Sequence, residues 1–185
     1  MSKPTRIALV GATGMIGMSL IRLAVGRSDI RIIGIARREA KLPPGARMEM
    51  LIAPPEGWAD AIAAANADVL VLALGTTWRK AGKDEAAFRA VDQDLVLQCA
   101  RAAKSLGLRQ MISISSVGAD SESRNFYLRV KGEVEQQLGR VGIPRLDIIR
   151  PGLLRGAREE LRPGERMAMI ASPAADLFLH GQYSK

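Results

Sequence analysis

The chain has 185 residues, 48% apolar and 25% charged, which is the composition of a folded globular domain rather than of a disordered chain. One cysteine, Cys99, excludes an intrachain disulfide and a cysteine-built zinc site, and one histidine, His180, excludes histidine clusters and a Ser-His-Asp arrangement. Lys and Arg number 27 against 19 Asp and Glu, a net charge of +8, but no run of five like charges occurs and aromatics are only 4%, so nucleic acid is not the expected partner.

The elements alternate along the chain. Arg6–Val10 is a short apolar run stopped by glycine and reads as a buried strand. Met15–Val25 carries Ile16, Leu20, Leu23 and Ala24 at helical spacing. Ile30–Ala36 is a second strand, and Met48–Ile52 a third and weaker one. Gly57–Asn66 is Ala-rich and helical, and Asp68–Leu74 is a clear buried strand. A long helix is expected from Asp84 to Leu106, with Phe88, Val91, Leu95, Cys99, Ala102 and Leu106 on one stripe. Met111–Ser115 is a strand, Phe126–Val141 a helix, and Leu146–Ile149 a last strand ended by Arg150-Pro151-Gly152. Short apolar strands alternating with helices predict right-handed βαβ units: a doubly wound parallel sheet in a three-layer α/β/α domain. Residues 1–185 read as a single domain, with 151–185 a short partial substrate-side segment. No apolar stretch approaches the ~18 residues that span a membrane, and the run Ile7 to Val10 is too short for a signal peptide. The expected compartment is cytoplasmic.

Between the first strand and the first helix lies Gly11-Ala12-Thr13-Gly14-Met15-Ile16-Gly17. Gly11 frees the dihedrals of a tight turn. Gly14 lets the backbone approach a pyrophosphate, and Gly17 lets the helix pack closely on the sheet. The helix N-terminus then offers unpaired N–H groups to phosphates. At the end of the second strand, where a carboxylate would bind the ribose of NAD, stand Arg37 and Arg38. Guanidiniums suit a 2′-phosphate, which favours NADP(H) over NAD(H).

Tyr127 and Lys131 are four apart on an expected helix and share a face. A neighbouring ammonium and a cationic nicotinamide ring favour tyrosinate, so such a tyrosine can act as general acid or base near neutral pH. Lys131 can also hydrogen-bond the nicotinamide ribose. The strand before this helix runs into Ser115-Ser116, at the sheet edge where ligands bind, and a hydroxyl there can share charge developing on a substrate carbonyl.

With these residues the sequence resembles the short-chain dehydrogenase/reductase superfamily, and more closely its atypical branch related to the Tat-interacting-protein oxidoreductases. The stretches that carry the resemblance are GATGMIG (11–17), ARR (36–38), LGTT (74–77), AGK (81–83), ISSVGAD (114–120), NFYLRVKGEVE (125–135), RPGLL (150–154) and RPGE (162–165). The resemblance implies an NADP(H)-binding oxidoreductase with Ser116, Tyr127 and Lys131 in the catalytic positions and a carbonyl-type small molecule as substrate. It implies Thr13, Met15 and Ile16 at the pyrophosphate. Leu74, Gly75, Thr76 and Thr77 would lie on the adenosine and ribose side, and Pro151, Gly152 and Leu153 at the nicotinamide. Ser116 precedes Tyr127 by a shorter interval than in better-studied branches, so Ser115 is the alternative. The chain ends at Lys185, where that branch usually continues with a strand and helix closing the substrate pocket. Two other roles are compatible with the same residues: a dinucleotide-binding regulator that meets a protein partner or a second copy, and epimerase or dehydratase chemistry on a nucleotide sugar.

Cys99 is expected in the core, and Asp92, near the same stripe, is expected to bond backbone groups near the sheet. Trp78 either roofs the cofactor or caps its loop. Met167 and Met169 pack the last helix or line a substrate site, and His180 is expected in solvent.

Overall fold

A computed structural model describes residues 3–152. Six strands form one all-parallel sheet: β1 (Thr5–Val10), β2 (Ile30–Ala36), β3 (Glu49–Ile52), β4 (Val69–Leu72), β5 (Gln110–Ile114) and β6 (Arg145–Ile149). Their order is β3-β2-β1-β4-β5-β6. The chain therefore winds outward in one direction from β1, then crosses back to start again at β4. That switch point, between β1 and β4, is where a doubly wound sheet opens a crevice at its C-terminal edge.

The sheet is buried on both faces because its strands are apolar on both. Ala8, Val10, Ile33, Ile35, Leu70, Leu72 and Met111 point to one face, against helices α2 (Trp58–Ala65), α4 (Leu95–Ser105) and α5 (Phe126–Val141). Leu9, Ile32, Val69 and Val71 point to the other, against Ile21 of α1 (Met15–Ala24). The alternation between Leu9 and its neighbours Ala8 and Val10 is the period of two that a strand imposes.

Local bonds satisfy the start of α3 and both ends of α5. Asn125 caps α5 by accepting the Leu128 N–H at 3.2 Å, and Gly142, at φ +77°, ends it in the left-handed conformation that glycine adopts without strain. Asp84 caps α3 (Glu85–Arg89) through the Ala87 N–H at 2.7 Å.

Two expectations are corrected. The helix foreseen as continuous from Asp84 to Leu106 is interrupted by a π turn over Ala90–Asp94, between α3 and α4. The turn inserts about one extra residue into the winding. Beyond it Leu95 and Cys99 are buried as expected, but the stripe then runs through Ala100 and Ala103, both fully buried, while Ala102 is only partly covered and Leu106 lies in solvent. On α1, Ile21 rather than Leu23 turns to the core, and Leu23 is 74% exposed. No helix among the described residues is long and apolar enough to cross a membrane.

Candidate dinucleotide and catalytic site

The glycine turn joins β1 to α1 under close contact. Gly11 has φ +83°, and a Cβ there would stand 2.5 Å from the Ala73 carbonyl oxygen at the end of β4. A Cβ on Gly17 would fall 2.4 Å from the Gly11 carbonyl oxygen and 2.7 Å from that of Ala12. Both positions exclude any side chain by backbone contact. Gly14 is the N-cap of α1; no side chain caps this helix, and its first turn carries no acidic residue. The leading N–H groups of α1 therefore await an acceptor, and the positive end of the helix dipole favours an anionic one. Thr13, Met15 and Ile16 are half-buried around this turn. A cradle with no room for Cβ atoms, opening on an uncapped helix, fits a pyrophosphate.

Arg37 and Arg38 follow β2, exposed, and neither enters an ion pair among the described residues. On the other side of the switch point, β4 runs into Leu74, Gly75, Thr76 and Thr77. Thr76 donates its N–H to Asp92 Oδ2 at 2.7 Å, and Thr77 Oγ1 accepts the Lys80 N–H at 3.1 Å. Trp78 closes this loop by edge-on contact with Phe126, ring centroids 5.3 Å apart. It is 41% exposed.

Tyr127 lies in the first turn of α5 with its ring edge-on to Phe88 at 5.9 Å. Lys131 follows one turn later, its Nζ 5.9 Å from the Tyr127 ring centroid. The Lys131 and Asp92 side chains are 7% and 1% exposed, and Nζ stands 2.8 Å from Asp92 Oδ1. The expectation that Asp92 bonds backbone near the sheet holds; its pairing with Lys131 was not legible. The available signal was an acidic residue within the apolar stripe of a helix.

Ser115 and Ser116 have different surroundings. The buried Ser115 donates its hydroxyl to Glu135 Oε1, and Arg150 pairs with the same carboxylate, its Nε 2.9 Å from Oε1. Ser116, half-buried, donates only to the Val117 carbonyl oxygen at 3.3 Å. Ser115 is thus held by a carboxylate, and Ser116 is the hydroxyl with a weak local bond to give up. Pro151 is tied to the loop after β5 by the Val117 N–H, 3.1 Å from its carbonyl oxygen. Gly152 is exposed and is the last described residue; Leu153, the RPGE stretch, Met167, Met169 and His180 lie outside the described residues.

A small cavity of about 10 Å³, on the scale of one water, is lined by Leu74, Asp92, Ser113, Ser115, Lys131 and Glu135 among others. Among the described residues, no group of three His, Cys, Asp or Glu is arranged to hold a metal ion. Cys99 is fully buried, as expected, and burial pushes its thiol up to about 12.

A model of an NAD(P)H-binding family matches residues 11–158. The fmp52 protein of Emericella nidulans, named mitochondrial, is 36% identical over 175 residues, 91% of this chain and 75% of that protein. Rat HTATIP2 is 48% identical over 101 residues, 55% of this chain and 41% of that protein. Among solved structures, the UDP-glucuronic acid 4-epimerase of Bacillus cereus in complex with NAD matches with a TM-score of 0.66 at 19% identity, covering 85% of this chain and 59% of the other. The enzyme WbmG of Bordetella bronchiseptica in complex with NAD matches with a TM-score of 0.70 at 17% identity, covering 92% and 60%. The chain thus spans about three fifths of the length of these two structures, which share its fold. The cytoplasmic expectation is overturned by the fmp52 proteins, which are named mitochondrial; a low cysteine count speaks against disulfides and does not separate one reducing compartment from another. With the glycine cradle, the strand order and these relatives in agreement, the chain belongs to the NAD(P)H-binding family, among the relatives of fmp52 and HTATIP2.

Proposed function

We propose that the chain is an NADP(H)-dependent oxidoreductase of the short-chain dehydrogenase type, acting on a carbonyl-type small molecule. The observation that carries the reading is the pair Tyr127 and Lys131 one turn apart on α5, Nζ 5.9 Å from the phenol ring. The end of β4 connects this pair to the glycine turn: Ala73 meets Gly11, while Leu74 lines the same small cavity as Lys131. A bound dinucleotide supplies the hydride chemistry, and the protein's part is to hold, orient and protonate.

In this reading the uncapped N-terminus of α1 binds the pyrophosphate, and Thr13, Met15 and Ile16 flank it. Leu74, Gly75, Thr76 and Thr77 form the adenosine wall. The Tyr127 hydroxyl gives a proton to a carbonyl oxygen or takes one from an alcohol, and Ser116 hydrogen-bonds that same oxygen. Lys131 supplies positive charge beside Tyr127 and a donor to the nicotinamide ribose. Arg37 and Arg38 support NADP(H), since each charge-assisted bond to a 2′-phosphate contributes roughly 1.5–3 kcal/mol. Pro151, Gly152 and Leu153 would border the nicotinamide.

The test is calorimetric titration with NADPH and NADH, followed by turnover on a panel of quinones, aldehydes and ketones. Tighter NADPH binding and turnover of at least one carbonyl class are expected. Equal affinities remove the role of Arg37 and Arg38; tight binding without turnover on a broad panel turns the reading to a dinucleotide-binding regulator.

A further inference from the structure

Most of the chain's excess positive charge has no part in the proposed reaction, and the fold gathers a share of it in one place. Residues 95–109 and 136–146 carry five Lys and Arg and no Asp or Glu. They cover α4 and the end of α5, with the turns that follow, and these two helices pack side by side. Between α4 and the last turn of α5 runs a groove of about 380 Å³, whose lining includes Arg101, Lys104, Gln137 and Arg140 around Leu97 and Val141. Leu97 is 4% exposed, which gives the groove an apolar floor beneath its cations.

No carboxylate on these helices is left to neutralise the groove. α4 carries none, and on α5 Glu133 pairs with Arg89 and Glu135 with Arg150. Lys104 donates to the Gly142 carbonyl at the end of α5 and so ties the two helices together. Arg101 and Arg140 are exposed, and their side chains enter no hydrogen bond or ion pair among the described residues. A cation in the last turn of a helix answers the negative end of its dipole. That accounts for Lys104 and Arg140, but not for Arg101, which lies before the last turn of α4. The groove is also remote from the candidate site: Arg140 follows Tyr127 by 13 residues on one helix, about 20 Å at 1.5 Å per residue.

We propose that the groove between α4 and α5 is a second anion site, which takes a small phosphate-bearing molecule: Arg101, Arg140 and Lys104 hold its phosphoryl group, and Leu97 and Val141 carry its apolar body. One cation suffices for a monocarboxylate. Three cations around one recess suit a dianion, and the guanidinium fork matches a pair of phosphoryl oxygens. A concave wall of one sign concentrates such an anion from solution. A bilayer is flat and would meet the rim of the groove rather than its floor. A second copy of the chain is opposed by charge, since a two-fold interface on this face would set the cations against their own copies. The inference does not rest on the dinucleotide reading.

The test is a chemical-shift titration of the isotopically labelled full chain, in which each resonance reports its own neighbourhood. The probes are phenyl phosphate, inorganic phosphate and phenyl sulfate at about 0.15 M salt. With phenyl phosphate, the amides of Arg101 and Val141 and the side-chain amide of Gln137 should shift and saturate, with a Kd of about 1 mM or tighter. Inorganic phosphate should bind several-fold more weakly, because it leaves Leu97 and Val141 uncovered. Phenyl sulfate, a monoanion, should bind about tenfold more weakly, the loss of one charge-assisted contact. Arg101→Ala/Arg140→Ala should weaken phenyl phosphate at least tenfold. Arg22→Ala/Arg47→Ala removes the same charge from exposed positions outside the groove and should stay within about twofold of the parent. All four positions are exposed, so both pairs keep the fold. Groove resonances that do not saturate by about 10 mM phenyl phosphate overturn the proposal. So does an equal loss in the two variant pairs, or groove resonances that respond only to phosphatidic acid vesicles or to protein concentration. Shifts confined to the glycine turn at Gly14 and Met15 overturn it as well, while supporting the dinucleotide reading. A parent that binds neither NADPH nor NADH overturns that reading and leaves this one standing.

Discussion

On the β1–β3 side of the switch point, the candidate site is made of backbone: glycines whose Cβ atoms would strike carbonyl oxygens, and a helix end that no side chain caps. On the β4–β6 side it is made of side chains: the Asp92–Lys131 ion pair, Ser115 on Glu135 and Arg150, and an aromatic cluster of Trp78, Phe88, Phe126 and Tyr127. A backbone cradle fixes where a phosphate can sit and contributes no proton. A side-chain cluster can carry charge and protons, but its geometry depends on packing from distant parts of the chain. The two halves should therefore respond differently to substitution: the first loses binding, and the second loses chemistry, with binding affected as well only where the Asp92–Lys131 pair is disturbed.

The largest effect is expected at Tyr127. Tyr127→Phe should lower carbonyl reduction ~10²–10⁴-fold, the usual cost of a lost general acid, while dinucleotide affinity stays within about twofold of the parent. The ring remains to pack on Phe88, so stability should change little. Steady-state rates with a calorimetric titration separate the two quantities. Parental turnover in this variant would remove Tyr127 from the chemistry, and a parallel loss of affinity would blur the division between the halves.

Two glycines sharpen the comparison, one from each side. Gly17→Ala would set a Cβ 2.4 Å from the Gly11 carbonyl oxygen, and Gly132→Ala would set one 2.2 Å from the Ser121 nitrogen. Neither obstacle is the end of a flexible side chain, so backbone must move, at a cost of about 1–3 kcal/mol or somewhat more. Urea denaturation should show a loss of this size in both. Only Gly17→Ala should also weaken dinucleotide binding strongly, because in the proposed reading the helix it displaces offers the pyrophosphate its N–H groups. Gly132→Ala displaces the Asp120–Ser121 segment against α5 and should act on turnover more than on affinity. The same response from both would mean that the two halves are not separable.

The uneven legibility of the site has the same origin. Gly11, Gly14 and Gly17 could be read in the sequence because a backbone cradle leaves a local signature: only glycine meets the dihedral and contact limits there. The strands were equally legible, since burial on both faces demands continuous apolar runs such as Val69–Leu72. The 16 residues of α5 were legible because Asn125 and Gly142 mark its ends. The π turn was not, for it arises from how α3 and α4 each pack on the rest of the domain. Asp92–Lys131 joins residues 39 positions apart, and Ser115–Glu135 joins residues 20 apart. Such pairings follow from the register of α4 and α5 on the sheet, which no local pattern encodes. Gly132 was missed for a related reason: the segment it admits comes from the preceding loop.

Arg37 offers a smaller effect on the backbone-built side. Arg37→Ala should narrow the preference for NADPH over NADH by about tenfold, one charge-assisted bond to a 2′-phosphate. NADH affinity should remain near the parental value, since NADH has no group for this guanidinium. Asp92→Asn, on the other side, should weaken both dinucleotides alike and leave their ratio unchanged. An unaltered ratio in Arg37→Ala would assign the basic turn to solvent, and the preference would then have to come from Arg38 or be absent.

The smallest effect near neutral pH is expected at Cys99, on α4, the helix that follows the turn bearing Asp92. Burial leaves this thiol fully covered and raises it from 9.0 to about 12. A group raised in the folded state holds its proton more tightly there than in the unfolded chain. Its contribution to stability is therefore complete below about pH 9 and is lost as pH climbs toward 12. Cys99→Ala removes that dependence, so the stability advantage of the parent over this variant should shrink steadily above pH 9 and be constant below it. Urea denaturation at several pH values measures the difference, and other titrating groups cancel in it. In parallel, iodoacetamide at pH 8 should modify Cys99 slowly in the folded protein and quickly in urea, because thiolate forms only when α4 leaves the sheet. Rapid modification of the folded protein would mean that α4 opens readily. The Asp92–Lys131 register, which depends on that helix, would then be far less fixed than the glycine cradle across the switch point.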